Sequence, residues 1–428
     1  MAPPSALELV VLLRDARRRL LACVEDLSDA ELRVPQLAIV NPFAWELGHV
    51  AWFQERWNLR HRAGRSALRA DADELFDSSA VAHDTRWELR LPERGELLAY
   101  LAGTLDATCA RLAAARDALD PLDAYFAQLA LFHEDMHVEA LLYTRQTLGL
   151  RRPRGALGPE SDEAEANAGP LAGDVEIPGA AFQMGAERDG TFVFDNELDA
   201  HAATVATFRI ARAAVTQGEF AEFVEARGYG RRELWSDAGW AWRVASAARQ
   251  PVYWLRESNG RWLRRRFDRW VALAEHRPVL HVNAFEAEAY CRWRGRRLPS
   301  EAEWEHAARG AERRLFPWGT AAPEARHANL SARAGDVADV GAHADGDSAF
   351  GCRQMLGNTW EWTASAFAPY PGFVAGPYTD YSAPWFGTHR VLRGGAFVTQ
   401  ARLIRASWRN FYTPDRRDVW SGFRTVAT

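Results

Sequence analysis

Apolar residues recur at helical spacing through the first third of the chain. Leu7, Val10, Val11, Leu13, Leu20 and Leu21, with Arg14, Arg17 and Arg18 between them, predict an amphipathic helix over residues 6–27. Asp29 is placed to cap a short turn after it. Asn41-Pro42 predicts the start of a second helix, with Asn at the cap and Pro at the first helical position, running to about Arg62. Trp45, His49, Trp52 and Phe53 fall on or near one side of it. An Ala- and Leu-rich third helix is predicted over 94–118. Asp120-Pro121 opens a fourth that ends near Gly149. Four helices with apolar faces predict a four-helix bundle over residues 1–150.

The pattern then changes. Residues 151–173 carry charge blocks with Pro and Gly and no period, as an interdomain linker does. From 174 to 428 the chain reads as short strand-like runs, turns and a few helices. Ile177–Gly185 reads as strand and turn. Thr216 caps one helix, Asn283 caps a second over Ala284–Arg294, and Ser300 with Glu303 forms a capping box for a third. The fold class is therefore α+β in two domains.

A length of 428 residues fits two domains, and 48% hydrophobic with 25% charged residues is globular composition. The net charge of −5 lacks the basic excess of a nucleic-acid binder. Cys23, Cys109, Cys291 and Cys352 form no close pair, so neither a zinc knuckle nor a disulfide framework is expected, and a cytoplasmic setting fits. No apolar run is long enough to span a membrane. The chain has 18 tryptophans, most of them beyond residue 230, which points to an irregular aromatic core or binding surface in the second domain.

The candidate chemistry lies in Leu131-Phe-His-Glu-Asp-Met-His-Val-Glu139. His133 and His137 stand four apart, on one face of a helix. His49 lies on another apolar helical face, and three buried imidazoles need a common partner. They are the expected metal ligands. The same stretch matches His-Glu-x-x-His with Glu134 as base, so a zinc hydrolase is a competing reading. Neutral histidine ligands with open positions suit Fe(II) and Zn(II) alike. Between the second and fourth helices, residues 77–92 are rich in Arg, His and Trp. Arg86 and Arg90 there are candidate contacts to an anionic or hydroxyl-rich substrate.

The ordered set Arg297-Leu-Pro-Ser-Glu-Ala-Glu-Trp-Glu, Phe316-Pro-Trp-Gly319, Gly357-Asn-Thr-Trp-Glu-Trp-Thr363, Leu392-Arg-Gly-Gly395 and Gly422-Phe-Arg424 resembles the formylglycine-generating-enzyme/sulfatase-modifying domain, a C-type-lectin-like fold. The first third resembles the DinB-like bundle. Their fusion in this order is similar to the ergothioneine-pathway sulfoxide synthases and their selenoneine-forming relatives. The resemblance implies Fe(II) on His49, His133 and His137. It implies O2-dependent joining of the imidazole C2 of hercynine (trimethylated histidine) to sulfur or selenium. The formylglycine-generating enzymes use a late cysteine pair; this chain has no cysteine after Cys352.

Within that family, Arg409-Asn-Phe-Tyr-Thr-Pro-Asp-Arg-Arg417 matches a substrate-binding segment. It assigns Asn410, Phe411, Tyr412 and Arg416 to substrate contacts, with hercynine's ammonium suited to an aromatic wall. The thiol branch takes γ-glutamylcysteine or cysteine and has an acid where Tyr412 stands. It has a glutamine where Met136 stands, and a different loop from His83-Asp-Thr-Arg-Trp-Glu-Leu. These departures favour a 1-selenosugar donor and a hercynyl selenoxide product. The resemblance also calls for a proton- or hydrogen-donating tyrosine, assigned to Tyr370, with Tyr378 and Tyr381 as rivals. A γ-glutamylcysteine-dependent sulfoxide synthase remains the alternative, and a zinc hydrolase or a binding module a more distant one. The oligomeric state is left open.

Overall fold

A computed structural model describes residues 4–116, 118–159 and 167–428. The chain divides into two compact units, Met1–Ala156 with Asp189–Phe192, and Leu157–Arg188 with Val193–Thr428.

The first unit is helical. Helix α1 spans Ala6–Ala22, with a reciprocal Ser5–Glu8 capping box. It stops short of the expected residue 27, and the turn beyond is closed by Ser28 and Glu31, whose side chains satisfy each other's backbone N–H. Asp29, expected as that cap, is exposed and pairs with Arg94 at 3.5 Å. Helix α2 spans Phe43–Gln54. Asn41 does not cap it: Pro42 holds the cap position and the Asn41 amide points to Glu46. The helix continues as a π-helical segment over Glu55–His61, so the helical run ends where the sequence predicts. There buried Glu55 takes the Leu68 N–H and the Tyr100 hydroxyl. A short α3, Ala72–Phe76, precedes a 3-10 turn over His83–Trp87. Helix α4 spans Arg94–Ala115, and α5 spans Pro121–Leu148, capped by Asp120 at its start and by left-handed Gly149 at its end.

In the core, a buried charge pair joins these helices. Arg17 of α1 donates from Nε to Glu134 of α5 at 2.7 Å, and from a terminal nitrogen to Gln54 of α2 at 2.7 Å. All three side chains are buried.

The second unit holds thirteen short strands and four helices among the described residues. Strands β1 (Asp174–Ile177), β4 (Phe208–Ala211), β8 (Arg296–Arg297) and β13 (Val426–Ala427) form one sheet, in the order β1-β4-β13-β8. A second sheet runs β11-β10-β9-β12, built from Asn410–Tyr412, Arg390–Arg393, Trp360–Ala366 and Ser421–Gly422. The helices are α6 (Gln217–Glu225), α7 (Asp237–Ala245), α8 (Ala284–Trp293) and α9 (Glu301–Arg309). Thr216, Asn283 and Ser300 cap α6, α8 and α9 as the sequence predicts. Helix α7, capped by Ser236, was not anticipated. Trp304, Trp360 and Trp362 are fully buried, which answers the tryptophan excess with core packing at those positions.

Candidate metal centre

Helix α2 presents His49, and α5 presents His133 and His137 one turn apart. Their nearest ring nitrogens lie within 4.8 Å of one another. The Nε2 of His133 is 3.2 Å from that of His49 and 3.1 Å from that of His137.

The outer nitrogens decide the tautomers. His49 Nδ1 lies 2.8 Å from the Phe76 carbonyl, which only accepts, so Nδ1 carries the proton. His137 Nδ1 meets the Glu46 carboxylate. Both rings therefore turn an Nε2 lone pair inward. Those lone pairs and the neighbouring Nε2 of His133 can share a cation or a proton. The donor set is nitrogen-only and three in number, which fits a divalent transition ion with open positions.

Charge in the surroundings agrees. Burial pushes His49 down to about 3. Burial also holds His133 well below the usual imidazole range. Burial opposes the charge on Glu46, but its bonds to His137 and the Asn41 amide outweigh it and hold the carboxyl at about 2. The rings are also clamped from the sides. His133 stacks on Phe53 with centroids 3.6 Å apart, and His49 stacks on Trp45 at 4.8 Å.

Glu134, the base of the zinc-hydrolase reading, is not at the centre. One residue beyond His133 is about 100° around an α-helix, and its carboxylate is held by Arg17 in the bundle core. Glu46 was not singled out from the sequence. Its spacing to His49 is i,i+3 on α2, the one local signal that it shares the histidine's face.

Arg86 is buried; it donates to Asn41 Oδ1 at 2.7 Å and to the Val81 carbonyl at 3.2 Å, with its guanidinium 3.8 Å above Trp45. Arg90 is exposed, on a groove of about 690 Å³ that Arg33, Arg86 and Trp87 also line. A larger cleft of about 780 Å³ in the second unit contains none of the expected site residues.

In the second unit, Phe411 stacks on Phe367 at 4.0 Å and lies 5.8 Å from Tyr381. Asn410 accepts the Phe411 N–H at 2.8 Å. Arg416 makes a two-bond pair with Asp418, at 2.6 and 2.8 Å, and sits 5.2 Å over Tyr412. Tyr370 is buried, 3.3 Å from Glu301 through its hydroxyl, with Arg409 4.0 Å over its ring. Burial pushes its phenol well above the ordinary range. Tyr378 and Tyr381 are half-buried, 6.0 Å apart.

Comparison with known proteins matches residues 160–428 to the sulfatase-modifying factor enzyme 1-like domain and residues 12–141 to the DinB superfamily. The hercynine oxygenase of Mycolicibacterium thermoresistibile is 38% identical over 99% of this chain and 95% of its own length. The chain belongs to the hercynine oxygenase family. The hercynine oxygenase of Mycolicibacterium smegmatis is 37% identical over 96% of both chains. The formylglycine-generating enzyme of Streptomyces coelicolor is 32% identical over 63% of this chain and 95% of its own. The architecture is thus α+β in two domains, a DinB-like helical domain followed by a sulfatase-modifying-factor domain. No helix among the described residues is long and apolar enough to cross a membrane.

Proposed function

We propose that this protein is a non-haem iron oxygenase that uses O2 to join the imidazole C2 of hercynine to the selenium of a 1-selenosugar, giving a hercynyl selenoxide. The three convergent imidazoles, with their outer nitrogens fixed by Phe76 and Glu46, carry this reading. His49, His133 and His137 hold Fe(II). When bound there, Fe(II) supplies a redox-active site for O2 and a Lewis acid for the chalcogen.

The chain's own residues bind and orient. Asn410, Phe411 and Tyr412 receive hercynine, the aromatic rings taking its quaternary ammonium. Tyr370 delivers the proton or hydrogen atom from its hydroxyl, which its burial keeps neutral. Arg90 faces the donor from the exposed end of its loop. Arg416 supports the selenosugar over γ-glutamylcysteine: its guanidinium is engaged by Asp418, whereas a thiol donor with two carboxylates asks for a cationic clamp.

The test is anaerobic loading with Fe(II), then hercynine and O2, with 1-selenoglucose, 1-thioglucose and γ-glutamylcysteine offered in parallel and products read by mass spectrometry. A hercynyl–selenosugar adduct is expected. A γ-glutamylcysteine sulfoxide adduct as the dominant product returns the protein to the thiol branch. No adduct from any donor, with zinc retained through purification, defeats the oxygenase reading.

A further inference from the structure

Arg86 sits in a loop whose composition suggests substrate recognition, yet its guanidinium faces inward. What it touches forms a chain of hydrogen bonds with only one possible polarity. Arginine has donors and no acceptor, so the atom of Asn41 that meets Arg86 at 2.7 Å must be the amide oxygen. The Asn41 amide nitrogen is then left to donate, and it reaches Glu46 Oε1 at 2.6 Å. The other Glu46 oxygen accepts from His137 Nδ1. His137 consequently presents Nε2 as a lone pair toward His133 and His49. The Arg86 donor fixes the Asn41 amide, and the Glu46 carboxylate, which only accepts, fixes the His137 tautomer.

A second arm starts from the same guanidinium. It lies 3.8 Å over the Trp45 ring, and Trp45 stacks on His49 with centroids 4.8 Å apart and planes 10° from parallel. The indole is pinned by its N–H to the Leu75 carbonyl at 2.8 Å, next to the Phe76 carbonyl that holds His49 Nδ1.

We propose that Arg86 is a positioning residue that holds Glu46, and with it His137, through Asn41, and the ring of His49 through Trp45, so that the loop over His83–Trp87 sets metal affinity. The inference rests on the three histidines being a metal site. It goes beyond that reading by placing control of two ligands in a residue of the His83–Trp87 loop.

Metal binding by the full-length protein tests it, without turnover. Apo-protein is titrated with Co(II) and followed by its visible absorption bands, for wild type, Glu46→Gln, Asn41→Ala, Arg86→Gln and Arg86→Lys. Loss of an outer partner of a ligating histidine weakens metal binding by roughly 10–100-fold. Glu46→Gln is expected in that range, and Asn41→Ala and Arg86→Gln near its lower end, all three with shifted bands. Arg86→Lys does not restore wild-type behaviour, because an ammonium has neither the planar face nor the fork. The effect of Arg86→Gln shrinks in the Asn41→Ala background, since both cut the same chain.

The sign is informative. Removing a cation near a metal ion by Coulomb's law alone tightens binding, so weaker binding in Arg86→Gln identifies the relay, and tighter binding overturns it. Wild-type Co(II) affinity and spectrum in both Arg86→Gln and Asn41→Ala also overturn it, whatever happens to thermal stability. If Arg86→Gln does not fold, Asn41→Ala decides, because it leaves the Val81 bond and the Trp45 stack in place. A wild-type protein that takes up no Co(II) defeats the metal reading itself, a separate outcome from an Arg86 variant that binds normally.

Discussion

At Gly48 a single missing methyl makes room for Phe76 beside His49. A Cβ built there would lie 2.1 Å from the Phe76 ring, and Phe76 is fully buried. Glycine in a helix interior costs about 1 kcal/mol relative to alanine, and here that cost allows the Phe76 backbone to come within reach of His49. Gly48→Ala is expected to lower stability by about 1–3 kcal/mol through overpacking. It should also weaken Co(II) binding, because moving Phe76 moves the carbonyl that holds Nδ1. Urea unfolding and metal titration measure the two effects. Glu134 gives the opposite expectation. Glu134→Gln leaves Arg17 buried against a neutral partner and should cost about 3–5 kcal/mol in urea unfolding. The folded protein should still take up one equivalent of metal, read by elemental analysis, because this side chain belongs to the helix core.

Between elements of the second unit, charged motif residues meet as buried pairs. Glu361, between two tryptophans of β9, takes a two-bond pair from Arg424 at 2.6 and 2.7 Å. Glu301 and Glu305 of α9 take Arg393 of β10, and Glu301 also takes Arg409. The recurrent acidic and basic residues of these motifs therefore join α9, the β9–β10 pair and the chain's last strands. Arg424→Met is expected to destabilise the protein by about 3–5 kcal/mol, since it strands a buried carboxylate. Pairing it with Glu361→Leu should recover most of the loss. Differential unfolding of the single and double variants checks this, and equal losses in both would show the pair is not the cause.

At the scale of the whole molecule, Asp336 is one source of acid sensitivity. Burial raises its carboxyl, but Arg264, Arg266 and Arg277 outweigh burial and hold it well below the usual carboxylate range. Arg277 lies at 2.6 Å and Arg266 at 3.3 Å. In the unfolded chain the group titrates near its ordinary value, about 3.9. The charged form is thus favoured on folding. Its contribution is present in full above that value and is lost as pH falls toward the folded value. Asp336→Asn is expected to be less stable than wild type at neutral pH, with the gap beginning to narrow as pH falls below about 4. Urea unfolding across that range measures it, and a gap independent of pH would show that shape rather than charge sets the cost.

Local pattern alone determined a good deal of this protein. Helical period and cap chemistry placed α4, α5 and α8 to within a few residues, because capping is decided by neighbours three or four apart. The same periodicity put His133 and His137 on one face, and the motif order of the second domain announced its fold. Only the tertiary structure decided what required partners far along the chain. It brought His49 to a pair 84 residues away and turned Glu134 into an ion pair with Arg17, 117 residues away. It also made Asn41 a link in a hydrogen-bond chain instead of a cap. The tautomers of His49 and His137 belong to the same class. A sequence carries the spacing of an imidazole, but which of its nitrogens holds the proton depends on the Phe76 carbonyl and the Glu46 carboxylate that packing sets against it.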